Sequence, residues 1–283
     1  MRFAFTTLAC PGWSWEQAIR AARSYGYHGI EWRMIDGSLV SAEFPAETCR
    51  RIRSTMRKAG LASCALDSSA QLAVAPGEAR DKVVAECRGM LRLAGELGAG
   101  MLRVFIGAYP RETPDTTALA WVVDALAAFL PEAERQGTKV ALEIHSFEGR
   151  GLNVNGTSDS SLCRRVVSSI GSPALGILWD VGNPFEEGET VEQTWVNVRD
   201  SLLYLHLKDA KLQPDGSLKY VLNGEGDLPL REIVALVTGA GFRGWLSYEW
   251  EKKWKPDLAE PEVALPHYIA SMRSLTGTEE TPL

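Results

Sequence analysis

Paired cysteines are missing from this sequence. The five cysteines are scattered, odd in number and never spaced as C-x-x-C (Cys10, Cys49, Cys64, Cys87 and Cys163). This pattern argues against a disulfide framework and against a structural zinc knot. We therefore expect reduced thiols and a cytoplasmic protein.

Long hydrophobic runs and an excess of basic residues are missing as well. No run reaches the ~18 apolar residues that span a bilayer. The opening MRFAFTTLACPGW is interrupted by Pro11 and Gly12 and is too short for a signal peptide. Lys and Arg number 30 against 36 Asp and Glu, which gives a net charge of −6. We therefore expect neither a membrane nor a nucleic acid as partner.

The chain does contain a regular alternation of short β-rich runs and amphipathic helical stretches, the pattern of βα units around a parallel sheet. A doubly wound dinucleotide-binding sheet should show G-x-G-x-x-G after its first strand, where this chain has TTLACPGWSW. The 283 residues fit the size of an eight-unit barrel. We predict an α/β fold, a single (β/α)8 TIM barrel that occupies residues 1–283 as one domain. Its eight strands are predicted at residues 2–7, 28–33, 61–67, 100–107, 139–145, 174–180, 202–209 and 245–251.

Three carboxylates and one imidazole lie in four successive apolar runs of the second half. These runs are KVALEIH, LGILWD, LLYLHLKD and WLSYEWE. In a TIM barrel the carboxyl-terminal strand ends share one rim, so the four side chains should lie together. Such a set suits Mn²⁺, Mg²⁺ or Co²⁺ better than a thiolate-loving ion, and Zn²⁺ and Fe²⁺ stay open. We predict one divalent metal ion, Mn²⁺ first, with Glu143, Asp180, His206 and Glu249 as its ligands.

Two further polar residues share strand faces with these ligands. His145 lies two residues past Glu143, and Lys208 lies two residues past His206, so each points to the same side as its neighbour. We predict substrate contacts for His145 and Lys208. A rim histidine without a catalytic role and a lysine in a salt bridge are the alternatives.

Candidate substrate contacts also come from the first two βα units. Glu31 and Arg33 end the second predicted strand and could bind hydroxyl groups, or else pair with each other or with a neighbouring strand. Trp13, in the first loop, would suit the apolar face of a sugar, although packing is the alternative reading. In the GEGD segment we expect Asp227 to cap the helix that follows.

Longer motifs resemble the xylose isomerase-like barrels of the sugar phosphate isomerase/epimerase family, which includes D-tagatose 3-epimerase, inosose isomerase and inosose dehydratase. The resemblance runs through GYHGIEWR, ALEIH, WDVGN, HLKD and NGEGDLPL…GFRGWLSYEWE. It implies a metal held by Glu143, Asp180, His206 and Glu249. Asn183 stands where the epimerases carry a histidine, so a substrate contact there is expected to be altered. Endonuclease IV, a more distant relative, needs more metal-binding histidines than the four present.

By this family analogy Glu143 and Glu249 are the catalytic residues. They would flank a small sugar or polyol, one removing a proton next to a ketone and the other returning it, through an enediolate. Epimerisation or isomerisation is the first expectation. The alternatives are a lyase or dehydratase acting on a keto-inositol or 3-keto-glycoside, and a barrel that binds sugar without catalysis. The resemblance also implies a possible homo-oligomer.

Overall fold

A computed structural model describes residues 1–145 and 158–277 as a closed barrel of eight parallel strands. Neighbouring strands pair in sequence order, and the last strand pairs with the first. The predicted TIM barrel is therefore confirmed. The strands are β1 (Arg2–Thr6), β2 (Gly29–Trp32), β3 (Ala62–Gln71), β4 (Met101–Phe105), β5 (Lys139–Glu143), β6 (Leu175–Asp180), β7 (Leu202–Leu207) and β8 (Trp245–Tyr248).

Eight helices of eight or more residues surround the barrel in the described part of the chain. The first begins at a capping box of Ser14 and Gln17 and ends at Gly26, which has a left-handed φ of 81°. Its buried residues recur at helical spacing, so one face packs on the barrel. The helices are α1 (Trp15–Tyr25), α2 (Ala46–Lys58), α3 (Glu78–Leu97), α4 (Asp115–Gln136), α5 (Asp159–Ile170), α6 (Val191–Val198), α7 (Leu230–Gly239) and α8 (Pro261–Thr276).

Small elements lie at the carboxyl-terminal ends of several strands, among them a 3₁₀ helix, Thr7–Ala9, after β1. A hairpin of Met34–Ile35 and Ser38–Leu39 follows β2, and a short helix, Gly182–Glu186, follows β6. A second hairpin, Asp209–Leu212 with Leu218–Val221, follows β7. These additions lie at the rim where the sequence predicts the site.

The core has two layers. Between the barrel and its helices lies a large apolar cluster that includes Phe5, Trp32 and Trp179. Inside the barrel a smaller cluster combines small side chains, such as those of Ala4, Ala65 and Ala141, with the large rings of Tyr204 and Trp245. Small residues inside the barrel leave volume for the charged side chains above them.

Among the described residues, α4 is long and apolar enough to cross a membrane, by length and composition alone. In the barrel its apolar face is buried, including Leu126, Phe129 and Leu130. The core helix of a soluble protein passes the same test.

Candidate metal centre

The barrel brings the four predicted ligands together. Glu143 and Asp180 are the last residues of β5 and β6, His206 lies in β7, and Glu249 follows β8 directly. Asp180 and His206 are partners in the strand register, and His206 is also level with Ser247 of β8. One ligand atom from each residue lies within 4.8 Å of the others, and all four side chains are buried.

His206 is at the centre of this cluster. Its Nδ1 atom lies 3.2 Å from Oε1 of Glu249, 3.8 Å from Oε1 of Glu143 and 3.8 Å from Oδ2 of Asp180. This nitrogen is buried and has no hydrogen-bond partner within residues 1–145 and 158–277. Ligands on opposite sides of one ion are ~4 Å apart, because each metal bond to nitrogen or oxygen is ~2.0 to 2.2 Å. The donor set and its spread therefore fit one divalent cation.

Glu31 lies on the other side of His206, completely buried. Its Oε1 atom lies 2.9 Å from Nε2 of His206 and accepts a hydrogen bond from the hydroxyl of Tyr204 at 2.7 Å. Its Oε2 atom accepts from the hydroxyl of Ser247. A carboxylate at Nε2 favours the tautomer that leaves Nδ1 open as a ligand. The contacts thus place Glu31 where it orients His206, and the substrate contact that the sequence predicts for it stays a prediction.

Lys208 contacts two of the four ligands. Its ammonium lies 2.8 Å from Oδ2 of Asp180, 2.6 Å from Oε2 of Glu249 and 3.0 Å from Oε1 of Glu251. The hydroxyl of Tyr220, on the second hairpin, also donates to Glu251. Lys208 therefore forms the salt bridges that the sequence leaves open, and its substrate contact stays a prediction.

Two charged residues that the sequence does not single out complete the network. Arg103 of β4 lies 3.2 Å from Oε2 of Glu143 through its Nε, and 3.6 Å from Oδ2 of Asp67 through its terminal nitrogen. Both Arg103 and Asp67 are buried. A charge inside the apolar run LRVF and an acid at the end of CALD are the signals that could have found them.

Burial and neighbouring charges set the two glutamate ligands apart. Burial raises the pKa of Glu143 to about 8, and Arg103 only partly opposes this. Burial would also raise the pKa of Glu249, but His206 and Lys208 hold it well below its usual range. Burial likewise raises the pKa of Asp180, to about 6, against Lys208. Buried carboxyl groups gathered in this way favour a cation among them.

The backbone that follows Asp180 holds the carboxylate oxygen Oδ1 of this residue. Oδ1 accepts hydrogen bonds from the backbone N–H groups of Gly182 and Asn183, at 2.8 and 3.2 Å. The side chain of Asn183 donates to the carbonyl of Ile144 at 3.1 Å and so ties the end of β6 to β5. Asn183 thus lies beside the centre, while its predicted contact with substrate stays a prediction.

His145 lies two residues after the predicted ligand Glu143, which is the last residue of β5. Its ring packs edge-on against Phe105, with 5.0 Å between ring centroids. Burial lowers the pKa of His145 to about 4, so the imidazole is neutral at neutral pH. A neutral ring at this edge is able to accept or donate a hydrogen bond, and its substrate contact stays a prediction.

Arg33 and Trp13 contact residues other than the four predicted ligands. Arg33 donates to the carbonyl of Asp67 at 3.3 Å and to the hydroxyl of Ser69 at 2.7 Å. It thus pairs with the neighbouring strand β3, the alternative that the sequence leaves open. Trp13 is half-buried and packs against the apolar core. Substrate contacts of both residues stay predictions.

The loop between β7 and α7 is held by Asp209, which is buried. Oδ2 of Asp209 accepts from the backbone N–H groups of Gly224 and Gly226, at 2.7 and 3.1 Å. A Cβ atom at Gly226 would collide with the Asp209 carboxylate, so glycine is required there. The prediction that Asp227 caps α7 is wrong. The N-cap is Pro229, and Asp227 accepts instead from the backbone of Leu212 in the hairpin.

The family model for the xylose isomerase-like TIM barrel matches residues 19–275. This chain belongs to that family. The resemblance to this family that the sequence predicts is therefore confirmed over nearly the whole chain.

Relatives of this xylose isomerase-like barrel lie at low identity. Fructoselysine 3-epimerase from Escherichia coli O157:H7 is 22% identical over 189 residues, which are 66% of this chain and 65% of that enzyme. The IolI protein with a binding zinc atom has a TM-score of 0.79 at 16% identity, with 100% of both chains covered. L-ribulose 3-epimerase has a TM-score of 0.76 at 17% identity, over 98% of this chain and 95% of that chain. At such identities these two structures show the shared barrel fold.

Proposed function

We propose that this protein is a metal-dependent epimerase or isomerase of a small sugar or polyol. One observation carries the proposal. Glu143 and Glu249, from β5 and β8, direct carboxylate oxygens toward the same histidine nitrogen, together with Asp180. Two glutamates that both reach a buried centre suit removal and return of a proton at carbon. Fructoselysine 3-epimerase and L-ribulose 3-epimerase, to which the chain is similar, are named for such reactions.

In this reaction one of the two glutamates accepts the proton from the carbon next to a ketone. The electron pair of the C–H bond moves into an enediolate. The other glutamate then gives a proton to the opposite face of the same carbon, which yields the epimer, or to the neighbouring carbon, which yields the isomer. General acid–base groups of this kind each contribute ~10²–10⁴-fold to the rate.

A divalent ion held by Glu143, Asp180, His206 and Glu249 would polarise the ketone oxygen as a Lewis acid. We propose Mn²⁺ as this ion, since carboxylate oxygens outnumber the single imidazole in the donor set. Zn²⁺ is the alternative, and zinc is the atom bound in the IolI protein.

Product analysis in D₂O tests the proposal. The protein loaded with Mn²⁺ is incubated with fructoselysine, L-ribulose, an inosose and a 3-keto-glucoside, and the products are followed by NMR and mass spectrometry. Deuterium at a retained carbon, in a sugar of changed configuration or connectivity, is the expected result. A dehydrated or cleaved product would assign a lyase instead. Binding of these compounds without any exchange would assign a sugar-binding barrel.

A further inference from the structure

Arg103 is a buried cation whose place in the barrel explains how Glu143 is held. In the strand register its partner is Asp67 on one side and Ala141 on the other. Partners in neighbouring strands point to the same side of a sheet, so these three side chains lie at one level. Glu143 is two residues beyond Ala141 and therefore faces the same side one step nearer the rim. The small Ala141 leaves space for the guanidinium to reach up to Glu143.

The contacts of Glu143 divide its carboxylate. Oε2 lies 3.2 Å from Nε of Arg103, whereas Oε1 lies 3.8 Å from Nδ1 of His206. The two oxygens rotate together about one bond, so a cation that holds Oε2 also fixes the direction of Oε1. Arg103 thereby aims Oε1 at the ligand cluster.

Glu249 shows the same division with a different cation. Its Oε1 lies 3.2 Å from Nδ1 of His206, and its Oε2 lies 2.6 Å from the ammonium of Lys208. Each of the two proposed acid–base glutamates thus has one oxygen at the centre and one oxygen beside a buried cation. The cation is Arg103 for Glu143 and Lys208 for Glu249. Arg103 therefore contacts Glu143 in the way that Lys208 contacts Glu249.

Arg103 is itself held in place. Its terminal nitrogen lies 3.6 Å from Oδ2 of Asp67, and its guanidinium carbon lies 4.2 Å from the centre of the Phe105 ring. Only 3% of the residue is exposed, so solvent does not compete for the guanidinium. The planar guanidinium thus lies within ion-pair distance of two carboxyl groups on different strands, although its Nε makes no hydrogen bond, and a lysine ammonium does not have this shape.

We infer that Arg103 is a positioning residue: it holds Oε2 of Glu143 so that Oε1 is directed at the metal centre and at the substrate carbon. The part that concerns turnover rests on the proposed function. The part that concerns metal affinity does not, because it follows from the four ligands alone. Residues that orient ligands typically change metal affinity or activity by ~10–100-fold when replaced.

The test compares Arg103→Met and Arg103→Lys with the wild-type protein. Isothermal titration with MnCl₂ gives the affinity of each metal-free protein. Deuterium exchange at saturating Mn²⁺, on whichever substrate of the D₂O panel the wild type turns over, gives kcat and KM. Arg88→Met is the matched control, since Arg88 forms its ion pair with Glu132 between outer helices. Circular dichroism and Tm establish that each variant is folded.

We expect Arg103→Met to bind Mn²⁺ ~10–100-fold more weakly and to lose ~10–100-fold in kcat, with KM changed much less. Arg103→Lys should fall between Arg103→Met and wild type, and Arg88→Met should match wild type in all three quantities. A folded Arg103→Met with wild-type affinity and kcat would overturn the inference. If that variant does not fold, Arg103→Lys decides, because wild-type values in it would also overturn the role of the guanidinium. Absence of exchange by the wild type would refute the proposed function, while the Mn²⁺ affinities would still test Arg103.

Discussion

Glu143 and Glu249 have the same side chain but different surroundings. Burial dominates at Glu143, where the raised pKa of about 8 reflects a carboxyl group with Arg103 as its only close permanent cation among the described contacts. At Glu249 the charges of His206 and Lys208 outweigh burial and lower the pKa. Replacement by glutamine should therefore remove different contacts at the two residues. The role lost, that of an acid–base group, should be the same.

Glu143→Gln and Glu249→Gln test the proposed acid–base pair. Each keeps the shape of the side chain but removes its charge and its ability to carry a proton, so we expect kcat for exchange to fall by ~10²–10⁴-fold. Exchange is measured by NMR at saturating Mn²⁺, so that weaker metal binding does not account for the loss. Glu132→Gln, on an outer helix, is the control. Turnover within a few-fold of wild type in either variant would remove that glutamate from the mechanism.

Glu31→Gln tests the orientation of His206. Glutamine keeps one oxygen that can accept from Tyr204, but its amide nitrogen replaces the oxygen that accepts from Ser247, and it lacks the charge that holds a proton on Nε2 of His206. We expect Mn²⁺ affinity, measured by titration calorimetry, to fall by ~10–100-fold. Tyr204→Phe removes one hydrogen bond and leaves the carboxylate, so its effect should be smaller. Unchanged affinity in Glu31→Gln would return Glu31 to the set of candidate substrate contacts.

The sequence predicts ligands at strand ends better than the residues that support them. Glu143 and Asp180 could be predicted because each acid ends an apolar run, and the barrel topology then brings the ends together. Strand parity alone gives the side of the sheet but not the depth along the barrel. Glu31 therefore could be predicted to face inward, but its position beneath His206 depends on the register of distant strands. The contact between Arg103 and Glu143 likewise depends on strand register, so the sequence does not single out Arg103.

Among the elements, the loops depart most from the sequence prediction. β3 is predicted at residues 61–67 but extends to Gln71, because Gln71 pairs with Phe105 of β4 after an irregularity in the register. The eight strands themselves are predicted well, since buried apolar runs separated by amphipathic helices have a strong period. Asp227 has the residue type of an N-cap, but the tertiary contact with Leu212 takes its carboxylate. Local patterns do not contain such contacts between loop segments.

Asp209→Ala tests how the β7–α7 loop is held. The substitution leaves the N–H groups of Ala210, Gly224 and Gly226 without their acceptor. Buried donors left unsatisfied cost about 1 to 3 kcal/mol each, so we expect a loss of about 2 to 3 kcal/mol if water reaches some of them. Thermal unfolding followed by circular dichroism measures the fall in Tm. Asp215→Ala is the control, because Asp215 bonds only its exposed hairpin turn, and an equal fall in both variants would contradict the assignment.

At the scale of the whole molecule, the barrel concentrates negative charge at its centre. Five buried carboxyl groups contact one another or His206 there, and the buried cations that contact the ligands are Arg103 and Lys208. Burial raises the pKa of Asp67 well above its usual range, which favours the uncharged form of this carboxyl group. The remaining carboxylates are Glu31, Glu143, Asp180 and Glu249. A divalent ion among Glu143, Asp180, His206 and Glu249 would offset part of this negative charge.

Mn²⁺ should therefore stabilise the fold, because the folded barrel assembles ligands that lie far apart in the unfolded chain. At a free metal concentration of 100 Kd the stabilisation is about 2.7 kcal/mol. For a domain of this size that corresponds to a rise in Tm of about 5 to 10 °C, which differential scanning fluorimetry measures. EDTA should reverse the rise, and Asp180→Asn should abolish most of it while Asp215→Ala keeps it. Parallel scans with Zn²⁺, Co²⁺ and Mg²⁺ rank the ions, and a larger rise with Zn²⁺ would replace Mn²⁺ in the proposed function. If none of the four ions raises Tm, the quartet does not hold a metal, and its charges must be balanced by protons instead.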